Sequence, residues 1–457
     1  MRSRDALGSD AHLLRPIEET GRGFYVAVGF LLAGVAAGAA AYWFQLTRGL
    51  GVTGLNQPVS WGFYVTNFVF FIGISHAGTL ISAILRMSQA EWRRPITRMA
   101  EVITVMVLFI GAGNILLDLG RPDRALNVLL YGRYQSPLLW DATSISAYLT
   151  ASVFYLYLPL IPDIAILRDH SSKYRLFYTV LALGWAGTEG QIRILNRAVA
   201  IMAVLVIPIA VSVHTVVSFV FSMTLQPGWH STIFGPYFVV GAIFSGIAAL
   251  IIFMVVFRRV YRLENYLRHV HFNYLGLLLM TMSFLWFYFT FAEYITGFYG
   301  NEPEEMKVFW VKFTGNYAFF FWAMVACNFV VPMILLGIRR FRTILGILVA
   351  SIFVSVGMWL ERFIIIIPTL SHPRLPLDTV GYMPTLVEWG LMVGCFSLFS
   401  LFYLLFTKIF PIISIWEIRE GREAGLREVE ERIRSYLPEE GEPVAARRLI
   451  AEGIENE

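Results

Sequence analysis

Ten runs of predominantly apolar residues, each about 20 long or slightly longer, recur along this 457-residue chain. At 1.5 Å of rise per residue, such a run spans the roughly 30 Å hydrocarbon core of a bilayer. Hydrocarbon offers no water to backbone N–H and C=O groups, so each run must satisfy its own hydrogen bonds and reads as a helix. The runs lie at about 24–47, 60–86, 97–118, 137–162, 198–225, 231–257, 272–298, 314–337, 342–366 and 384–410. Hydrophobic residues make up 57% of the chain and charged residues only 15%, against roughly a quarter in soluble domains. The class is an all-α polytopic membrane protein, not a soluble enzyme with one anchor. About 23 polar residues precede the first run, which is long enough to span, so no cleavable signal peptide is expected.

Lysine and arginine fix the orientation. With the N-terminus on side one, that side receives roughly 28 bases and the other roughly 8. The positive-inside rule then places both termini in the cytoplasm. The expected segments are a cytoplasmic stretch 1–23, a ten-helix domain 24–410, and a charged cytoplasmic tail 411–457. The Glu/Arg mixture from Glu417 to Leu437 reads as a surface helix at the membrane or against a partner, and the end beyond Pro443 as looser. The 163–197 connection, with an apolar patch from Leu176 to Trp185, reads as an interfacial segment.

Acids show the opposite bias. Asp118, Asp123, Asp141, Glu293, Glu361, Glu388 and the Glu302/Glu304/Glu305 run fall on the outer side. A solvated loop accounts for the last trio. It does not account for Asp141, Glu293 or Glu361, which are embedded in apolar sequence; ionisable groups at such depth mark functional sites by default. The densest signal is Asp118-Leu119-Gly120-Arg121-Pro122-Asp123-Arg124, four charges where the third helix ends. It suggests a rigid, polar pocket floor.

Other candidates each have a plainer reading. Trp61 and Tyr64 fit an aromatic belt as well as ligand contact. His76, near the middle of helix two, and His214, in the middle of helix five, fit either a hydrogen-bonded core histidine or a proton relay or ligand. Two such histidines invite a haem. A two-haem bundle needs a second facing pair, which is missing, leaving one haem held by His76 and His214 as the alternative. Glu293 and the adjacent Glu361-Arg362 fit interhelical ion pairs or an outward proton path; neighbouring side chains on a helix point apart, so each needs a partner elsewhere. Cys327 and Cys395 offer no C-x-x-C spacing, so this chain alone builds neither a zinc site nor an iron–sulfur cluster. Walker A, G-x-G-x-x-G, nucleophile-elbow and H-E-x-x-H signals are not found. Ala33-Gly34-Val35-Ala36-Ala37-Gly38 is a helix-packing face. Midplane histidines, with Pro208 interrupting helix five and Pro332 in helix eight, would also suit a secondary transporter.

In order, Trp61-Gly62, His76-Ala77-Gly78, Asp118-Leu119-Gly120-Arg121-Pro122, Ser136-Pro137-Leu138-Leu139-Trp140-Asp141, His214-Thr215, Phe298-Tyr299-Gly300-Asn301 and Met358-Trp359-Leu360-Glu361-Arg362-Phe363 resemble the NrfD/polysulfide-reductase membrane-subunit family. The resemblance covers about 24–410, and the ten-helix form is similar to the large membrane subunits of bacterial alternative complex III. Helix five departs from the pattern, with Phe219-Val220-Phe221 where some relatives place an acid. The resemblance implies two four-helix bundles plus two peripheral helices in the bacterial cytoplasmic membrane. It implies quinol oxidation, with menaquinol as the substrate, and no haem or cluster bound by this chain. Electrons would pass to an iron–sulfur subunit on the outer face, beside a related NrfD-like membrane subunit, multihaem c-type cytochromes and lipids; no nucleic acid is expected. Asp118, Asp141 and His76 would be catalytic, with Arg121, Trp61, Tyr64 and Asp123 around the quinol. His214, Glu293 and Glu361 would carry protons outward. The alternative within the same complex is a non-oxidising sister subunit.

Overall fold

The computed structural model describes residues 11–436, apart from 77, 79, 80, 171–173, 376 and 378–380. The expectations that fall on 1–10, on 437–457 including Pro443, and on Ala77 and Thr79 lie outside the described residues. Among the described residues every regular element is helical. Nine helices are long and apolar enough to span, and a tenth apolar helix, Phe63–His76, is shorter.

The spans are α1 (Arg22–Arg48), α2 (Phe63–His76, resuming at Ser82–Met87), α3 (Thr97–Asp118), α4 (Pro137–His170) and α5 (Glu189–Ser222). They continue as α6 (Phe234–Val260), α7 (His269–Gly300), α8 (Ala318–Gly337), α9 (Ile344–Ser371) and α10 (Leu386–Ile409). All ten expected runs are present, with shifted ends. Threonines set several starts: Thr188 and Thr343 accept from the N–H groups of Gln191 and Gly346 at 3.3 and 3.1 Å, satisfying donors that have no partner within the helix. Because α4 runs on to His170 and α5 begins at Glu189, the 163–197 connection shrinks to a short helix, Arg175–Leu181, and its flanks. Pro208 does not interrupt α5, which is continuous through it. In α8 a π turn at Ala326–Val330 precedes Pro332 and absorbs the lost hydrogen bond.

Helices α2–α5 pack as one four-helix bundle and α6–α9 as a second. The bundles meet where α6 contacts α2 and α5, and α9 contacts α2. Helices α1 and α10 pair with each other outside both. Their contact depends on small residues: a Cβ on Gly38 would stand 2.7 Å from the Cα of Gly394.

The basic end is tied by charge. A C-terminal helix, Ile415–Tyr436, begins buried against the first bundle, so Glu417 is anchored within this chain. Glu417 bonds Arg86, and Arg93 at 3.2 Å; Arg94 donates to its backbone carbonyl at 2.9 Å. Burial alone would raise the Glu417 carboxyl, but Arg86, Arg93 and Arg98 outweigh it and hold it below the usual range. Asp163 pairs with Arg98 at 3.0 Å and accepts the N–H groups of Ile415 and Trp416.

Candidate functional site

Along the contact between the two bundles, titratable side chains meet inside apolar packing. His76 is fully buried at the end of Phe63–His76, and its Nε2 lies 2.7 Å from the Ala210 carbonyl of α5. The His214 ring stands edge-on to it, with centroids 3.8 Å apart. Neither nitrogen of His214 has a hydrogen-bond partner. Beyond His214 lies Arg362 on α9, whose charge acts on the imidazole and whose guanidinium sits over the Phe238 ring at 4.6 Å. Arg362 Nη1 lies 3.1 Å from Glu361 Oε2 without hydrogen-bond alignment. Adjacent Glu361 and Arg362 therefore curl toward each other. They do not diverge as their spacing suggests. Room comes from Gly241 on α6, where a Cβ would meet Arg362 Nη2 at 2.8 Å. Glu361 Oε1 accepts from Trp286 Nε1 at 2.5 Å, and Tyr237 lies beside the same carboxylate.

Tyr237 opens onto a cleft of about 530 Å³ at the acidic end, lined also by Glu293, Ser231, His230, Glu305 and Lys312. Ser231 donates to Glu293 at 2.5 Å. Lys312 lies on the short helix Pro303–Phe313, where burial pushes its ammonium down to about 8 and Glu293 opposes the shift. Four predicted residues thus lie between the bundle contact and this cleft: His76, His214, Glu361 and Glu293. A single haem between His76 and His214 does not fit, because the rings touch and leave no width for an iron. No group of three metal-ligating side chains occurs among the described residues.

A second buried cluster joins α1, α2, α3 and α10. Tyr64 donates to Gln45 at 2.6 Å, and Gln45 donates to the Leu117 carbonyl at 2.7 Å. Glu388 is fully buried, accepts from Tyr382 at 2.5 Å and Gly54 N–H at 2.7 Å, and lies near Tyr64 and Asp118. Asp118 keeps one carboxylate oxygen buried without a partner. So does Asp141 on the first turns of α4. Trp61 stacks on Trp229 at 6.0 Å, and Trp229 lines the acidic-end cleft. Arg121 and Asp123 pair with each other at 3.0 Å at the surface, with side chains 66% and 59% exposed.

Several buried groups escaped the sequence reading. Trp286 and Tyr237 stand beside Glu361, and Lys312 lines the cleft. Glu101, with Ser82 and Tyr155, forms another buried polar knot toward the basic end: Ser82 donates to Glu101 at 2.8 Å and lies 3.0 Å from the Tyr155 hydroxyl. Glu101 and Asp163 are single acids in apolar runs, the same signal that singled out Asp141.

Residues 51–373 match the family described as polysulphide reductase, NrfD. A selenate reductase subunit of Mesobacillus selenatarsenatis is 25% identical over 82% of this chain and 92% of its own length. The Hdr-like menaquinol oxidoreductase integral membrane subunit of Archaeoglobus fulgidus is 25% identical over 85% and 94%. The menaquinone reductase integral membrane subunit of Nitratidesulfovibrio vulgaris is 23% identical over 85% and 92%. With its ten helices in two bundles and a flanking pair, and with the match covering most of its length, this chain belongs to the NrfD polysulphide reductase family of integral membrane proteins.

Proposed function

We propose that this chain is the quinol-oxidising membrane subunit of an electron-transfer complex of the alternative complex III type. It would sit in a bacterial cytoplasmic membrane with its basic end inside. One observation carries the reading: Asp118 and Asp141 each hold a buried carboxylate oxygen with no partner at the acidic end. Buried polar atoms are almost always paired, so such oxygens are acceptors awaiting a donor. A quinol hydroxyl is one. Two relatives named for menaquinol and menaquinone chemistry favour menaquinol as the substrate.

The reaction balances as menaquinol giving menaquinone, two protons and two electrons. A carboxylate at Asp118 or Asp141 takes a hydroxyl proton as general base. Electrons leave to an iron–sulfur cluster of a partner on the acidic face, within an assembly that also holds a related membrane subunit and multihaem c-type cytochromes. His76, its Nε2 already bound to Ala210, serves as a relay and not as a head-group ligand. Protons travel through His214, Arg362-held Glu361 and Tyr237 to Glu293 in the acidic-end cleft. Continuation toward Glu101 at the basic end would add translocation.

The test is oxidation of a quinol analogue by the intact complex, comparing wild type with Asp118→Asn at matched cluster content. General-base removal should lower turnover by about 10²-fold or more while assembly is retained. Unchanged turnover in both Asp118→Asn and Asp141→Asn would make the chain a non-oxidising sister subunit.

A further inference from the structure

At the basic end, four chain segments far apart in sequence enclose a cleft of about 700 Å³, Pro95 among its lining residues. The N-terminal helix Ala11–Glu18 contributes Arg15 and His12, the α6–α7 connection contributes Arg262 and Arg268, and the C-terminal helix contributes Arg422. Among the described residues no carboxylate lines it. Arg15 is engaged by Glu19 at its rim, at 2.7 Å. Arg262 and Arg268, beside His12 and Arg15, concentrate donors of one sign on this cleft. Guanidinium forks match phosphate oxygens bidentately, which makes phosphate the best-fitting anion.

The local fold holds these groups toward one another. Arg262 adopts a left-handed backbone conformation, φ 53°, which is costly for a residue other than glycine and persists only where surroundings impose it. The preceding Tyr261 is fixed by a 2.6 Å hydrogen bond to Thr407 and by stacking on Phe257. Arg268 N–H donates to His271 Nδ1 at 3.0 Å as α7 begins. That start also sets the positive end of a 32-residue helix beside the cleft, which Val270 and His271 line.

Position decides the source of the phosphate. The cleft lies between the end of α6 at Val260 and the start of α7 at His269, the level at which lipid headgroups sit. Half-buried Tyr261 and Tyr266 line it, as amphipathic rings do at a membrane interface. Its volume exceeds what one free phosphate fills, and basic pockets between spanning helices suit headgroups. We propose that this cleft binds the phosphate headgroup of an anionic phospholipid from the leaflet at the basic end, clamped by Arg262 and Arg268.

Native mass spectrometry of the purified full complex, after exchange into defined lipid, tests this. The probes are phosphatidylglycerol, cardiolipin, phosphatidylcholine and inorganic phosphate. Anionic lipids should bind at least tenfold tighter than phosphatidylcholine. The Arg262→Gln/Arg268→Gln double variant should lose at least tenfold in that affinity. Arg339→Gln/Arg340→Gln, at the same end but outside the cleft, should lose nothing. Millimolar inorganic phosphate should not displace the lipid. Equal loss in both double variants, or none in the first, overturns the site. Displacement by free phosphate overturns the lipid assignment. If the first variant fails to fold, a photoactivatable phosphatidylglycerol on wild-type complex replaces it; crosslinks within 261–271 support the site, and their absence rejects it.

Discussion

Two sets of buried charges cross this fold, and they are built differently. At the basic end, both oxygens of Glu417 and both of Asp163 have partners, from arginine side chains or backbone N–H groups. Along the bundle contact, the His214 nitrogens, Glu361 Oε2 and both terminal nitrogens of Arg362 lack hydrogen bonds. Glu417 and Asp163 hold helices together with every carboxylate oxygen satisfied, although Arg86 Nε, Arg98 Nε and Glu101 Oε2 at the same end have no partner; an unpaired buried charge costs more than the pair returns. Ionisable groups left unsatisfied inside a membrane are by default candidates for function.

The difference can be broken experimentally. Asp163→Asn leaves Arg98 uncompensated and should cost about 3–5 kcal/mol, read as a fall in the melting temperature of the purified complex. An unchanged melting temperature would erase the contrast. Glu361→Gln keeps the Trp286 contact but strips buried Arg362 of its carboxylate, so a comparable cost of about 3–5 kcal/mol is expected. Its distinguishing effect is on function: in complex of matched content, proton release coupled to quinol oxidation, followed with a pH dye, should fall about 10²-fold. His214→Phe discards two unpartnered nitrogens whose burial costs about 1–3 kcal/mol. The fold should be as stable as wild type or stabler, again with proton release impaired.

Lys312 sharpens the comparison through pH. Folded, it loses its proton near 8, below the ordinary lysine range. Between those values the unfolded chain binds more protons, so stability should rise with pH across that window. Lys312→Met should remove the rise in pH-dependent melting. The smallest effect is expected at Arg121→Ala: its exposed pair with Asp123 is worth little, and melting should not change measurably.

The ten spans were legible because apolar length is dictated by bilayer thickness, whatever the tertiary packing. Their ends were less so. Asp163 sits beyond the expected end of helix four, yet its bonds to Ile415 and Trp416 draw it inside. Most of the candidate residues were visible as ionisable groups in apolar sequence. Their grouping was not, since His76 and His214 are 138 positions apart and meet only through bundle packing. The Glu361-Arg362 pair was misread for a related reason. Ideal helix geometry separates neighbours, but Gly241 on another helix opens the space in which they close on each other.

The Gly38–Gly394 contact carries a consequence for biogenesis. Of the ten spans described, α1 is made before the others and α10 after them, and the two pair. Both bundles can assemble as their own helices arrive, while α1 waits with its glycine face toward lipid. The α1 seam therefore closes only once α10 has been made, and a nascent protein truncated before α10 would keep it open.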